Sequence, residues 1–69
     1  MSSWTLGTYE QGNTYVEYRW DKINHWEMMV CKDYGDGLLH TIQHNTYCSQ
    51  QSAKRAFQRV VRKLKKGEY

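Results

Sequence analysis

The sequence predicts a small two-layer α+β domain, in which an antiparallel meander of three or four strands packs against one C-terminal helix. Two patterns lead to this prediction. Residues 13–47 contain segments in which apolar and polar residues alternate, as in strands with one buried face. Residues 49–66 carry apolar residues at helical spacing instead. The 69 residues include no proline and no Gly/Ser-rich linker, so a single domain is expected.

The N-terminal segment, residues 1–12, is open to two interpretations: an additional strand, or a tail that Trp4 packs against the domain. The next two strands alternate clearly and are joined by a polar turn at residues 21–24. They place six apolar side chains on one face: Val16, Tyr18, Trp20, Trp26, Met28 and Val30. Pairing Val16 with Val30 keeps all six on one side of the sheet, because a slip of one residue would expose the whole set.

A third strand is predicted at residues 38–47, after the strongest hairpin signal in the chain. That signal is Gly35-Asp36-Gly37, because glycine adopts the positive φ angles of tight turns at little cost. Simple alternation along the strand places four side chains on one face: Leu38, His40, Ile42 and His44.

Residues 49–66 are predicted to form the helix, with Ser49 as its N-cap and Gly67 at its C-terminal end. Its apolar face, expected to cover the sheet, consists of Ala53, Phe57, Val60 and Leu64. We expect Phe57 at the centre of that contact, with cations on the opposite side of the helix.

Charge divides the chain in two. Residues 1–48 carry three Lys or Arg and six Asp or Glu, a balance of −3, whereas residues 49–69 carry seven cations and one acid, a balance of +6. A row of cations on one helix face is typical of a surface that binds nucleic acid. The alternative interpretation is that these cations are solvated and only keep an aromatic-rich protein soluble. The residues expected to bind nucleic acid, or an acidic protein or nucleoprotein surface, are Lys54, Arg55, Arg59, Arg62, Lys63, Lys66, Arg19 and Lys22.

The stretch from residue 13 to residue 64 resembles the arm-site DNA-binding domains at the N-terminus of phage and transposon integrases. Three segments carry the resemblance: HWEMMV at residues 25–30, the hairpin at residues 35–37 and SQQSAKRAF at residues 49–57. It implies a three-stranded sheet with a helix behind it, and a sheet face that enters the major groove. Glu17 and Glu27 lie on that face with Arg19 as its only cation, so the helix is expected to contact phosphates here. The helix start is also similar to the last helix of double-stranded-RNA-binding domains, so DNA and RNA are both candidates.

Three functions fit these observations. The first is a non-enzymatic nucleic-acid-binding module encoded by a phage or mobile element. The second is a small inhibitor of the anti-CRISPR type that binds a protein or nucleoprotein target, and the third is an assembly domain that dimerises through a strand edge. Nucleic-acid binding is the first choice, because seven cations lie within residues 54–66 with no acid among them.

The composition argues against other functions. The chain has no apolar run of about 18 residues and no signal-peptide pattern, so no membrane partner and a cytoplasmic location (the host cytoplasm if phage encoded) are expected. Catalytic sites need a supporting shell that a chain of this size barely supplies, so neither an enzyme nor a small-molecule substrate is expected. The residues that could ligate zinc, His25, Cys31, His40, His44 and Cys48, include no Cys-x-x-Cys pair, and no metal site or cofactor is predicted.

Overall fold

The computed structural model describes residues 4–68, which form a four-stranded antiparallel meander followed by one helix. The strands are β1 (Trp4–Gln11), β2 (Thr14–Lys22), β3 (His25–Asp33) and β4 (Leu39–Tyr47), and the helix α1 spans Gln50–Lys65. The strands lie in the sheet in chain order, so β1 and β4 are its edges. The small α+β class is confirmed, and the additional strand that the sequence left open is present as β1. Residues 1–3 of the segment predicted as a strand or tail lie outside the described residues.

The register of the two central strands follows their apolar alternation. Val16 pairs with Val30, Tyr18 with Met28, and Trp20 with Trp26, as predicted. The first two pairs are buried, whereas both tryptophans are half-buried at the end of the sheet. The face that carries these pairs is covered by α1, and the opposite face, which we call the open face, is not.

The helix covers the sheet with a face slightly rotated from the predicted one. Its buried residues are Ala53, Ala56, Val60 and Leu64. Ala53 is the deepest of the four at 0% exposed, and Ala56, on the other margin of the stripe, is buried where Phe57 is not. Phe57 is half-buried at the margin, where its ring centroid lies 4.8 Å from that of Tyr18. The prediction that Phe57 is the centre of the contact was wrong, because spacing alone does not show which edge of an apolar stripe is deepest.

Both ends of α1 are capped as the sequence predicts. The Ser49 hydroxyl accepts a hydrogen bond from the backbone N–H of Ser52 at 3.2 Å. At the other end, the N–H of Gly67 donates to the carbonyl of Leu64 at 3.1 Å and the N–H of Glu68 to that of Lys63 at 2.8 Å. These two bonds form a Schellman motif, which ends the helix just after its last basic residues.

Strand β1 is fixed to both β2 and the end of α1. Gly7 lies under the ring of Tyr18, so close that a Cβ atom on residue 7 would be 2.5 Å from Cε1 of that ring. The Gln11 amide donates to the carbonyl of Leu64 at 2.7 Å, and the Tyr9 hydroxyl donates to the Gln11 side chain at 2.6 Å. The side chain of Gln11 thus ties the edge strand to a backbone carbonyl in the last turn of the helix.

A β-bulge in β4 changes the faces of its histidines. Val30 and Cys31 of β3 pair with residues 43 and 41 of β4, so Ile42 is an extra residue between them. The alternation reverses across the bulge, which places His40 on the helix side of the sheet and His44 on the open face. The prediction that Leu38, His40, Ile42 and His44 share one face was wrong, because it assumed unbroken alternation.

Candidate nucleic-acid interface

The outward side of α1 carries a row of cations that we call the basic stripe. Its members are Arg55, Arg59, Arg62 and Lys66. Spacings of four, three and four residues keep them on one side of a helix with 3.6 residues per turn. All four are exposed, and the buried alanines, Val60 and Leu64 occupy the opposite side. Burial of the apolar face against the sheet therefore directs the stripe to solvent.

Three further cations of the helix flank the stripe. Lys54 and Lys63 are exposed on either side of it. Lys65 lies over the aromatic ring of Tyr9, with Nζ 5.6 Å from the ring centroid. No acidic residue lies between residues 50 and 66, so nothing on the helix itself offsets this positive charge.

A groove runs beside the stripe, where α1 lies over β4. One part, of about 260 Å³, is lined by Tyr47, Ser52, Arg55, Ala56 and Arg59. A smaller part, of about 160 Å³, shares Tyr47 and Arg59 and adds Gln43 and Lys63 to its walls. An aromatic ring beside arginines is the combination on which unpaired bases stack. Sequence reasoning missed the β4 wall, since only the docking of the helix brings Tyr47 next to the arginines.

Two of the predicted binding residues lie away from the stripe. Arg19 is on the open face, with its guanidinium 3.7 Å from the Glu17 carboxylate and 3.3 Å from that of Glu27. Lys22 is exposed at the end of β2, opposite His25 of β3. The structure brings together on α1 and its C-cap the other six: Lys54, Arg55, Arg59, Arg62, Lys63 and Lys66.

The open face has a polar network centred on Glu27. Its Oε1 accepts hydrogen bonds from Arg19 Nη2 at 3.3 Å and His44 Nε2 at 3.0 Å, and its Oε2 lies 3.2 Å from His25 Nε2. Partial burial raises the pKa of Glu27, but the hydrogen bonds from His44, His25 and Arg19 outweigh it, and the net pKa is lowered. Glu27 is therefore ionised at neutral pH.

A second carboxylate extends this network. Glu17 accepts hydrogen bonds from the Tyr15 hydroxyl at 3.0 Å and the Thr5 hydroxyl at 3.2 Å. Burial, followed by the hydrogen bond and charge of Glu17, raises the pKa of Tyr15. Around Arg19 the open face thus holds two carboxylates for one guanidinium, an environment that repels phosphate.

Comparison with protein families, with curated proteins and with solved structures finds no match for this chain. Within residues 4–68, no helix combines the length and apolar character needed to cross a membrane.

Proposed function

We propose that this protein is a non-enzymatic nucleic-acid-binding module that contacts the phosphate backbone with the basic stripe of α1. The observation that carries the proposal is the stripe itself: four exposed cations on one side of a helix that has no acid. Neutralising phosphates with such cations releases condensed counterions, which drives binding and makes it dependent on salt. The resemblance to integrase arm-site domains agrees with this function and with a phage or mobile-element origin.

The length of the stripe suits a nucleic-acid strand. Arg55 and Lys66 are eleven residues apart, which corresponds to about 16 Å along the helix axis. At about 3.4 Å of axial rise per nucleotide, this length follows one strand over about five phosphates. Stripe cations can therefore contact several phosphates without any bending of the helix.

The groove beside the stripe is suited to an unpaired base. Tyr47 forms one wall and Arg55 and Arg59 the other, so a base could stack on the ring while its phosphates contact the arginines. A duplex would use the stripe alone. Single strands and duplexes of DNA and RNA are therefore compared side by side in the test.

The test is a salt titration of binding to fluorescent oligonucleotides by the wild type and two single-charge variants. Arg62→Gln removes a stripe cation, and Lys22→Gln removes an exposed cation outside the stripe. We expect log affinity to fall linearly with log salt, and Arg62→Gln to reduce the slope by about 1 while Lys22→Gln leaves it unchanged. Circular dichroism and thermal melting verify the fold of each variant.

Two outcomes would contradict the proposal. Equal effects of the two variants would mean that the whole protein attracts polyanions through net charge alone. Absence of binding to every oligonucleotide at low salt would favour the alternative of an anti-CRISPR-type inhibitor, whose stripe docks on an acidic protein or nucleoprotein surface.

The edge of β4 favours dimerisation as a second candidate function. Leu39 and Ile42 are 59% and 42% exposed along it, and Leu38, just before the strand, is 64% exposed. β4 contains no charged residue (LHTIQHNTY), although charges are the usual protection of an exposed edge against pairing. Antiparallel pairing of two β4 edges would give a two-fold dimer with both helices on the same side of one continuous sheet.

Sedimentation equilibrium tests this candidate. The wild type is expected to dimerise with rising concentration and Leu39→Lys to remain monomeric, because a lysine on the edge disfavours strand pairing. A wild type that stays monomeric over the full concentration range would exclude it.

A further inference from the structure

Metal-ligating side chains converge where β2 turns into β3, away from the basic stripe. The ligand atoms of Asp21, His25 and Glu27 all lie within 4.8 Å of one another. His25 Nε2 is 3.7 Å from Oδ2 of Asp21 and 3.2 Å from Oε2 of Glu27. Ligands at ordinary bond length from a tetrahedral zinc ion are about 3.3–3.6 Å apart, so His25 Nε2 already lies near that spacing from both carboxylates.

We propose that Asp21, His25 and Glu27 bind a divalent transition-metal ion of the zinc type. Zinc accepts both imidazole nitrogen and carboxylate oxygen, whereas calcium and magnesium prefer oxygen ligands alone, so the imidazole favours a transition-metal ion. The two carboxylate charges balance those of the dication. Three protein ligands leave a fourth position for water or for a group of a partner molecule.

The backbone supports this arrangement. A β-bulge at the end of β2 sets both Asp21 and Lys22 opposite His25, and bulges of this kind re-aim side chains next to functional sites. The side chain of Glu27 is 13% exposed, that of His25 30% and that of Asp21 39%. The cluster is thus held by the sheet on one side and open to solvent on the other.

A second imidazole holds the Glu27 carboxylate in place. His44 Nε2 lies 3.0 Å from Oε1 of Glu27, the oxygen that does not face His25. Metal-binding carboxylates are commonly hydrogen-bonded in this way by residues outside the coordination sphere. Arg19 contacts the same Oε1 at 3.3 Å, which leaves Oε2 as the metal-binding oxygen.

The chain offers its own control. Asp36 and His40 have the same four-residue spacing as Asp21 and His25, and His40 Nε2 is 2.8 Å from Oδ2 of Asp36. Among the residues that the structure describes, no third His, Cys or carboxylate joins that pair to form a metal-binding group. If only a complete set of ligands binds metal, the first cluster should bind it and the second pair should not.

The experiment is isothermal titration of the full-length, metal-free protein with ZnCl₂, with the absorption spectrum of the Co²⁺ form as a second readout. Wild type and His40→Ala are expected to bind one ion per chain with similar affinity and to melt at higher temperature in zinc. His25→Ala and the more conservative Asp21→Asn should each weaken binding about tenfold or more and abolish that rise. Cys48→Ser should bind like the wild type.

Three results would overturn the proposal. The first is no saturable zinc binding, which would leave a hydrogen-bonded ion-pair network only. The second is an equal loss of zinc affinity in His25→Ala and His40→Ala, which would mean that zinc binds to separate surface histidines and not to one cluster. The third is loss of binding in Cys48→Ser, since Cys48 lines a pocket of about 380 Å³ together with His25 and would then be the principal ligand.

Discussion

Neighbouring carboxylates decide which cations of this chain are available to a partner. Arg19 and Arg62 are the same residue type and both were expected to bind nucleic acid. Arg19 lies between Glu17 and Glu27, which offset its charge. Among residues 4–68, no ion pair within 4 Å involves a cation of the basic stripe. A count of basic residues therefore overestimates the number of cations that can bind a partner. Cations that are paired with carboxylates, such as Arg19, have to be left out.

The pKa of Asp36 should depend on His40. A hydrogen bond from His40 at 2.8 Å, followed by one from the Leu38 N–H at 3.0 Å, lowers the pKa of Asp36. Because the pKa of Asp36 is lower in the folded protein than in the unfolded chain, its ionised carboxylate stabilises the fold at pH values above the unfolded-state pKa. This stabilisation is lost as the pH falls through the folded-state pKa. We expect His40→Ala to raise the pKa of Asp36 toward its ordinary value in a carboxyl-carbon NMR titration. An unchanged pKa would mean that the pair does not form in solution.

A side chain at residue 7 should destabilise the fold, because the ring of Tyr18 fills the space beside Gly7. A Cβ atom there would be 2.5 Å from Cε1 of that ring, which Phe57 holds from another side. Gly7→Ala is expected to lower the free energy of unfolding by about 1–3 kcal/mol in urea denaturation. Thr8→Ala, an exposed neighbour, should change it by less than about 0.5 kcal/mol. Equal stabilities of the two variants would show that the ring moves aside at no cost.

At the scale of elements, the central strands could be predicted because their burial follows a strict two-residue period. Val16 and Val30 pair as their alternation requires. β1 could not be decided, since its alternation is broken by a register shift between Thr5 and Gly7 and the buried position beside Gly7 is filled by Tyr18 of the neighbouring strand. When a neighbouring strand supplies the buried side chain, the sequence of the strand itself shows little apolar alternation.

The candidate sites, like the strands, could be predicted only where a regular sequence period places their residues together. The basic stripe could be predicted, because helical spacing alone places its members together. The Tyr47 wall of the groove and the Asp21–His25–Glu27 cluster could not, because each joins elements whose relative placement depends on docking or on a bulge. The bulge at Ile42 likewise separates His40 from His44. Local periodicity carries no information about such irregular positions.

Gln11 should contribute more to the stability of the fold than its exposed position suggests, because it joins β1 to the last turn of α1. Its amide donates to the carbonyl of Leu64 at 2.7 Å. Gln11→Ala is expected to cost about 0.5–1.5 kcal/mol of stability and to speed hydrogen exchange in β1. Glu10→Ala, at the adjacent exposed position, serves as the control and should leave exchange unchanged. Equal protection of the β1 amides from hydrogen exchange in both variants would show that strand pairing alone fixes β1.

At the scale of the whole molecule, the fold keeps opposite charges on opposite sides. The basic stripe lies on the outer side of α1, and the carboxylates of Glu17 and Glu27 lie on the open face of the sheet. The thickness of helix and sheet separates them, and the shortest extent of the fold is 15 Å. This distance exceeds the Debye length of about 10 Å at 0.1 M salt, so charges on one face have little influence on a ligand at the other.

Removing the open-face carboxylates should therefore leave nucleic-acid binding unchanged if the helix carries it. The double variant Glu17→Gln/Glu27→Gln keeps the size and much of the hydrogen bonding of both side chains. We expect its affinity for duplex DNA at 0.1 M salt, measured with EDTA present so that metal plays no part, to stay within about twofold of the wild type. If the sheet instead entered the groove, as the proposed resemblance to integrase arm-site domains would imply, loss of two like charges facing phosphates would strengthen binding by about 1 kcal/mol, roughly fivefold, in the same assay. Such a gain would move the interface from α1 to the open face, and Arg62→Gln, measured alongside, would then have no effect on affinity.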